Sequence, residues 1–164
     1  MAHRKPRAYL SGGMEYAARQ GAGWRRPLGT WLRAELGHTA FDPSRESEKL
    51  LRRFCPGENF RSLKVRDPQR YKRILERIVR IDLNEIARKT DYVICYWDRS
   101  AMRGAGTKGE ISLAFFLRKP VYLMTRQSPE RIPSWVLACA SSVYRSMPEL
   151  KQFLLRRYAG KTMP

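Results

Sequence analysis

The chain has 164 residues, of which 43% are hydrophobic, and this length and composition suit one globular domain with a buried core. Its 33 Lys and Arg against 15 Asp and Glu give a net charge of +18, which attracts anions such as nucleotides and nucleic acid. No apolar run approaches the ~20 residues that span a bilayer. Residues 1–10 lack the apolar core of a secretion signal, so we expect a cytoplasmic protein with no membrane partner.

The spacing of the cysteines and the spread of the basic residues bear on two kinds of site, a metal site and a nucleic-acid groove. Cys55, Cys95 and Cys139 are far apart and lack metal-ligand spacing, which indicates reduced structural thiols. We expect neither a metal nor a cofactor. The basic residues are dispersed along the chain, which favours a solvated basic surface over a dedicated nucleic-acid groove. Nucleic-acid binding remains an alternative that the pattern does not favour.

The first strand is predicted at residues 7–14, and it runs into a glycine turn at Gly12 and Gly13. Glycine permits positive φ and close approach of the backbone. A glycine turn after a first strand commonly places backbone N–H groups beside a ligand. These two glycines are therefore candidate binding residues.

Residues 15–37 are predicted to be mostly helical, with breaks at 21–23 and at Pro27. Apolar residues recur there at steps of three and four, as on the buried face of a helix. Trp24 follows two glycines and precedes two arginines. Its ring therefore either belongs to the core or faces a pocket. A short second strand is predicted at 38–41.

Ser44 is expected to cap the next helix. Residues 56–67 are rich in turn residues and predict an irregular loop near the site, with a lid as one role for it. A long helix follows at 68–89. Ile81 is expected on its buried stripe, and Asp82 at the edge of that stripe.

The segment 81–124 is predicted to be a β-loop-α-β unit around which the rest of the chain is organised. Residues 92–96 form a β-branched and aromatic run, which is typical of a strand buried in a parallel sheet. A glycine loop at 103–109 precedes a helix that begins at Glu110, and the next strand begins at 120. Ligands bind such folds at the carboxyl ends of the strands, so we expect the loop and Glu110 at that edge.

The alternation of strands and helices predicts an α/β fold, with a parallel sheet and helices on both faces. A last strand at 140–144 and a final helix from Met147 complete it. We expect one domain over residues 1–164, in which 1–6 form a loose basic tail.

Asp82 and Glu110, with a tyrosine and glycine loops but without metal ligands, suggest chemistry at a sugar. Cleavage of an N-glycosidic bond builds positive charge at the anomeric carbon, which a nearby carboxylate can trap covalently or stabilise. A second carboxylate can hand a proton to the departing base. The alternative for Glu110 is that it only complements the dipole of its helix.

Six short segments together resemble the nucleoside 2-deoxyribosyltransferases and their N-glycosidase relatives. They occur in the family's order and at roughly its spacing, between residues 8 and 124. The segments are YLSGGM (9–14), FDP (41–43), DLNEI (82–86), DYVI (91–94), GTKGE (106–110) and KPVY (119–122).

The resemblance implies a single flavodoxin-like (Rossmann-like) domain of about five parallel strands and a covalent deoxyribosyl-enzyme intermediate. Glu110 would be the nucleophile, and Tyr9 would orient it. Asp82 would protonate the leaving base and later deprotonate the acceptor base. The implied partners are a nucleoside or nucleotide, a free nucleobase and further copies of the chain, because a neighbouring subunit often completes the site in this family.

The resemblance also implies a set of substrate-binding residues. Those expected around the base and sugar are Ser11, Gly12, Gly13 and Met14, and those expected near the sugar are Gly106 and Thr107.

One departure from the family concerns the position six residues before the expected nucleophile. Transferases of free nucleosides usually carry a carboxylate there, against the sugar 5′-hydroxyl, whereas this chain has Gly104 beside Arg103. A 5′-phosphate would meet less repulsion and would be attracted by arginine. Asp98 could swing in instead. A nucleoside 5′-monophosphate N-glycosidase is therefore an alternative to a transferase, and a silent nucleotide-binding module is an alternative of another class.

Overall fold

The computed structural model of the protein describes residues 4–159. Its five strands form one all-parallel sheet in the order β2-β1-β3-β4-β5. The strands are β1 (Arg7–Gly12), β2 (Thr39–Phe41), β3 (Tyr92–Tyr96), β4 (Val121–Met124) and β5 (Ser142–Tyr144). This order belongs to the flavodoxin-like fold, and the predicted α/β class is confirmed.

Helices connect and cover the strands. The first four are α1 (Ala22–Leu36), α2 (Pro43–Phe54), α3 (Leu63–Arg66) and α4 (Pro68–Arg88). The remaining helices are α5 (Arg99–Arg103), α6 (Gly106–Phe116), α7 (Ser134–Cys139) and α8 (Met147–Tyr158). Short 3-10 turns lie at Ala18–Gly21, Phe60–Ser62 and Pro129–Arg131.

Side chains alternate between the two faces of the sheet, as the pleat of a strand requires. On β1, Leu10 belongs to the apolar cluster under α1 and α8, where Leu28 and Leu150 are buried. Tyr9 points to the opposite face, where it packs with Ile111 of α6. Helices α4, α6 and α7 cover that second face.

The strand order reverses between β1 and β3. From β1 the chain continues to β2 on one side, and it then returns to β3 on the other side. Ser11 pairs with Cys95 and Gly12 pairs with Tyr96 at the carboxyl ends of these two strands. Ligands of open α/β sheets bind outside such a switch point, so this edge is the natural place for a site.

The start of α2 differs from the prediction, because Asp42 rather than Ser44 caps the helix. The Asp42 carboxylate accepts a hydrogen bond from the Ser44 backbone N–H at 2.9 Å and another from the Ser44 hydroxyl at 2.5 Å. Pro43 occupies the first turn, where a missing N–H costs no helical hydrogen bond.

The predicted break at Pro27 is wrong, because Pro27 lies inside α1. The chain does change course before Ala22, where Gly21 has a φ of 73° in the left-handed region. Leu28 and Leu32 are fully buried directly after the proline. Their packing holds the helix although proline removes one intrahelical hydrogen bond.

Residues 56–67 are more regular than predicted. They contain a 3-10 turn and α3, and Leu63 is 2% exposed. Phe60 stacks on Tyr71 of α4 with 4.7 Å between ring centroids. The segment is packed on α4 through these apolar contacts, which argues against an irregular lid.

The predicted loose tail begins with residues 1–3, which lie outside the described residues. Arg4 forms an ion pair with Asp91 at 2.5 Å, and the Pro6 carbonyl accepts the Thr39 N–H at 2.9 Å. These contacts tie residues 4–6 to the sheet. In residues 4–159, no helix is both long and apolar enough to cross a membrane.

Candidate active site

Glu110 lies on the sheet-facing side of α6, in the second turn of the helix. The predicted loop at 103–109 is wrong, because α6 begins four residues before Glu110, at Gly106. Thr107, Ile111 and Ala114 are buried on the same side, at helical spacing from one another. Packing against the sheet therefore favours the helix despite two glycines, and it turns Glu110 inward rather than toward the helix N-terminus.

Two hydroxyl groups of β1 hold the Glu110 carboxylate. Tyr9 Oη donates to Glu110 Oε1 at 2.8 Å, and Ser11 Oγ donates to Glu110 Oε2 at 2.5 Å. Because they are two positions apart on a strand, Tyr9 and Ser11 project from the same face of the sheet. Each carboxylate oxygen thus has its own donor, which fixes the orientation of the group.

Asp82 reaches the same region from α4, which packs against α6. The structure corrects the predicted stripe, since Ile81 is 41% exposed whereas Asp82 is 8% exposed. Asp82 lies four residues after Ile78 and four before Ile86, so it continues the helical stripe as well as Ile81 does. The helix therefore aims a carboxyl group, and not an apolar side chain, at the sheet.

Burial gives Asp82 and Glu110 pKa values above those of ordinary surface carboxyl groups. It raises the pKa of Asp82 to about 8, with a further contribution from the negative charge of Glu110, while Arg25 opposes the rise. Burial also raises the pKa of Glu110, whereas the Ser11 and Tyr9 hydroxyls and Arg25 lower it. A pKa of about 8 means that Asp82 can hold a proton at neutral pH.

Arg25 is the residue of this region that sequence reasoning missed. Its side chain is 0% exposed, and it donates to the carbonyls of Leu10 at 2.9 Å and Gly12 at 2.7 Å. A signal was present, since Arg25 lies three and seven residues before the buried Leu28 and Leu32. Arginine at a core position of a helical stripe is unusual unless its charge is paired or hydrogen-bonded.

The two glycines after Ser11 are explained by close packing. A Cβ atom on Gly13 would lie 1.9 Å from Ser100 Oγ, and one on Gly12 would lie 2.9 Å from the Trp24 ring. Glycine therefore lets α5 and Trp24 approach the end of β1. The predicted role of both glycines beside a ligand remains a prediction.

Trp24 lies on the opposite face of the sheet from Glu110. It packs edge-on against Tyr96 at 5.5 Å, and the Arg25 guanidinium lies 4.8 Å from its ring centroid. The ring also lines a cavity of about 290 Å³ together with Met124. Trp24 is thus half-buried and at the edge of a pocket, and Glu110 is not among the residues that line that pocket.

The remaining predicted binding residues lie at α5, in α6 and after β1, whereas the Glu110 carboxylate takes its hydrogen bonds from Tyr9 and Ser11. Asp98 caps α5, where it accepts the Ala101 N–H at 3.0 Å and the Ser100 hydroxyl at 2.5 Å. Gly104 follows the last residue of α5, and Gly106 is the first residue of α6. The buried Thr107 lies one helical turn before Glu110, and the Met14 carbonyl accepts a hydrogen bond from Arg61 at 3.4 Å.

Within residues 4–159, no group of three His, Cys, Asp or Glu side chains is arranged to hold a metal ion. The side chains that the structure brings to this edge carry carboxyl, hydroxyl and guanidinium groups. The chain matches no protein-family model and no curated protein. The resemblance described above rests on its six sequence segments.

Proposed function

We propose that this protein cleaves the N-glycosidic bond of a (deoxy)nucleoside or nucleotide through a covalent glycosyl-Glu110 intermediate, and transfers the deoxyribosyl group to another base. The observation that carries the proposal is the buried Glu110 carboxylate, held by the hydroxyls of Tyr9 and Ser11. The buried Asp82, whose pKa is raised to about 8, lies on α4, which packs against the helix of Glu110.

In the first step, the bond between the anomeric carbon and the base nitrogen breaks. A Glu110 oxygen forms the new bond to that carbon, and Asp82 gives its proton to the base nitrogen as the base leaves. The electron pair of the broken bond departs with the base. Glu110 lies on α6 and Asp82 on α4, so the proposed nucleophile and the proposed acid come from separate helices.

In the second step, a base nitrogen attacks the anomeric carbon and Glu110 leaves as a carboxylate. Asp82, now ionised, takes the proton that the incoming base loses. Tyr9 and Ser11 stabilise the carboxylate before and after the covalent intermediate, because their hydrogen bonds favour its charged form. Burial raises the pKa of the Tyr9 phenol, so Tyr9 remains a donor throughout.

A hydrolase of nucleoside 5′-monophosphates is the second candidate, in which water takes the place of the acceptor base. Gly104 stands where transferases of free nucleosides carry a carboxylate. Arg103 lies nearby and stacks its guanidinium 4.3 Å from the ring centroid of Tyr16, and Arg61 contacts the Met14 carbonyl. These guanidinium groups near the segment after β1 favour a phosphate, which arginine binds through paired hydrogen bonds.

We also propose that the chain forms a homo-oligomer, as the resemblance implies. Helix α6 exposes 80% of Phe116, and α7 exposes 68% of Trp135. Apolar side chains of this size on neighbouring helices support association of copies. Light scattering on the purified protein measures the number of subunits directly, and a monomeric mass would contradict this part of the proposal.

The decisive experiment is a base-release assay with deoxyribonucleosides and their 5′-monophosphates, each with and without a second free base. A new nucleoside that forms only with added base identifies a transferase, and free base from monophosphates alone identifies a hydrolase. Glu110→Gln should stop both reactions, whereas Glu35→Gln, on the exposed side of α1, should not. The absence of product from every substrate would favour a silent nucleotide-binding module.

The covalent intermediate has its own test. Rapid acid quenching during turnover should trap protein whose mass is increased by one deoxyribosyl or deoxyribosyl phosphate group. Peptide mapping should then locate the adduct at Glu110. Turnover without an adduct in wild type, or an adduct that persists in Glu110→Gln, would contradict the covalent mechanism.

A further inference from the structure

Arg25 is a charged side chain in a place that normally excludes charge. It is 0% exposed, and its nearest carboxylate contact is Asp42, at 3.9 Å from Nε to Oδ1. A buried guanidinium is costly unless its donors are satisfied. Its position therefore requires compensation from groups other than a close ion pair.

Three backbone carbonyls supply that compensation. Arg25 Nε donates to Leu10 O at 2.9 Å, and Nη2 donates to Gly12 O at 2.7 Å. These two carbonyls belong to the residues on either side of Ser11, which donates to Glu110. The guanidinium is thus hydrogen-bonded to β1 immediately before and after Ser11, whose hydroxyl orients Glu110, the proposed nucleophile.

The third carbonyl belongs to a strained turn between β1 and α1. Arg25 Nη1 donates to Gln20 O at 2.7 Å. Arg19 and Gln20 have φ values of 46° and 53°, which side chains other than glycine rarely adopt, and Gly21 follows with 73°. Such a conformation persists only where the surrounding structure holds it in place, and Arg25 provides one such contact.

The space around the guanidinium is also closely fitted. A Cβ atom on Gly21 would lie 2.4 Å from Arg25 Nη1 and 2.9 Å from the Gly13 carbonyl. The turn therefore rests directly on Arg25 and on the chain that follows β1. Strand end, turn and guanidinium form one packed unit.

We propose that Arg25 is a positioning residue of the site, which fixes Ser11 against Glu110 and holds the left-handed turn at 19–21 over the end of β1. The catalytic part of this role rests on the proposed function. The three hydrogen bonds from Arg25 to the carbonyls of Leu10, Gly12 and Gln20, called the clamp below, do not depend on turnover. The positive charge of Arg25 also favours the ionised form of Glu110, because it lowers the pKa of that carboxyl group against the effect of burial. Lysine would keep a charge but would lack the planar fork that reaches three carbonyls.

The test compares Arg25→Lys with Arg26→Lys, its exposed neighbour on α1. Backbone hydrogen exchange of the segment 13–21 is followed by mass spectrometry. Arg25→Lys should speed exchange of this segment by at least about tenfold, because the turn loses a contact that keeps it closed. Arg26→Lys should exchange like wild type. Equal exchange in all three proteins would overturn the clamp.

The effect of Arg25→Lys on catalysis is measured separately, by steady-state kinetics of base release. If wild type releases base, Arg25→Lys should lower kcat about 100-fold with a much smaller change in KM, since misplacement of Ser11 disturbs Glu110 rather than substrate binding. An unchanged kcat beside faster exchange would overturn the positioning role. If wild type releases no base, the proposed function fails while the exchange result still decides the clamp.

A measurement on the unaltered protein covers the case in which the variants do not fold. The guanidinium Nε–H of Arg25 should exchange with solvent at least about 100-fold more slowly than that of Arg26, as seen by ¹⁵N NMR, because only Arg25 is buried and bonded to a strand carbonyl. Similar exchange at the two arginines would overturn the proposal without any substitution.

Discussion

Ser11 and Glu110 are 99 positions apart in the chain, yet the serine hydroxyl donates a hydrogen bond of 2.5 Å to the carboxylate. Tyr9 occupies the other carboxylate oxygen at 2.8 Å. The two hydroxyl donors orient this glutamate and favour its charged form, against the burial that raises its pKa. These are the properties that a carboxylate nucleophile needs.

Removal of the Tyr9 hydroxyl should weaken both catalysis and folding. Tyr9→Phe keeps the ring stacked on Phe41, at 5.4 Å between centroids, but leaves Glu110 Oε1 without its donor. We expect kcat for base release to fall about 10- to 100-fold and the free energy of unfolding to fall by about 1–3 kcal/mol.

The matched control for this substitution is Tyr16→Phe, since Tyr16 is 47% exposed. Steady-state kinetics and urea unfolding measure both effects. A Tyr9→Phe enzyme with wild-type kcat would remove Tyr9 from the orientation of Glu110.

The role of Asp82 as an acid predicts a dependence on the leaving base. Asp82→Asn cannot donate an acidic proton, so release of adenine or guanine should slow about 10²- to 10⁴-fold. A substrate whose base already carries a positive charge, such as 7-methylguanine, departs without a proton and should be cleaved at nearly the wild-type rate. Equal slowing with both kinds of base would show that Asp82 acts by some route other than proton donation.

The raised pKa of Asp82 predicts how the rate of base release depends on pH. Because Asp82 must be protonated for the first step and its pKa is raised to about 8, base release should decline as the pH rises through that value. Asp82→Asn should lose this alkaline limb. A wild-type rate that stays constant up to pH 9 would contradict the assignment of Asp82 as the acid.

The raised pKa of Asp82 should also make the free energy of unfolding depend on pH. The folded protein keeps the Asp82 proton up to about pH 8, whereas an unfolded chain releases it near an ordinary pKa of ~4. Between these values the native state binds more protons, so the free energy of unfolding falls as pH rises. Asp82→Asn should therefore be more stable than wild type at pH 8, by at least about 1 kcal/mol, and should gain little at pH 4. Urea unfolding at the two pH values measures the difference, and an equal gain at both would refute the linkage.

Two glycines near the site should respond to alanine in opposite directions. A Cβ on Gly13 would clash with Ser100 Oγ at 1.9 Å and with the Ala101 nitrogen at 2.7 Å, so Gly13→Ala should destabilise the protein by about 1–3 kcal/mol. Gly109 lies in α6 with no atom within 4 Å of an added Cβ, so Gly109→Ala should stabilise it by about 0.5–1 kcal/mol. Thermal unfolding measures both, and a shift of the same sign would contradict this packing.

Sequence reasoning succeeded where one pattern dominated a segment. Strand β3 was predicted with its observed limits, because residues 92–96 combine β branching, aromatic rings and continuous apolar character. The prediction of a loop at 103–109 is wrong because the packing of Thr107 and Glu110 outweighs the low helix propensity of glycine. That packing exists only once the sheet has formed. Local propensity could not supply that information.

The candidate site was only partly predictable for a related reason. Motif resemblance pointed to Tyr9, Asp82 and Glu110, and the structure brings the Tyr9 hydroxyl to Glu110. Arg25 escaped notice because an arginine in a sequence is ordinarily interpreted as a surface residue. Its burial depends on three backbone carbonyls whose convergence is a property of the tertiary fold.

The long separation in sequence between β1 and α6 has a consequence for the synthesis of this protein. β3 lies between β1 and β4, and α6 follows it, so a nascent chain that ends before residue 110 has Tyr9 and Ser11 but no carboxylate to receive them. The Ser11 hydroxyl is synthesised about a hundred codons before its acceptor, Glu110. Glu110 can therefore accept these two hydrogen bonds only after α6 has left the ribosome, and β4 and β5, which complete the sheet, are made later still.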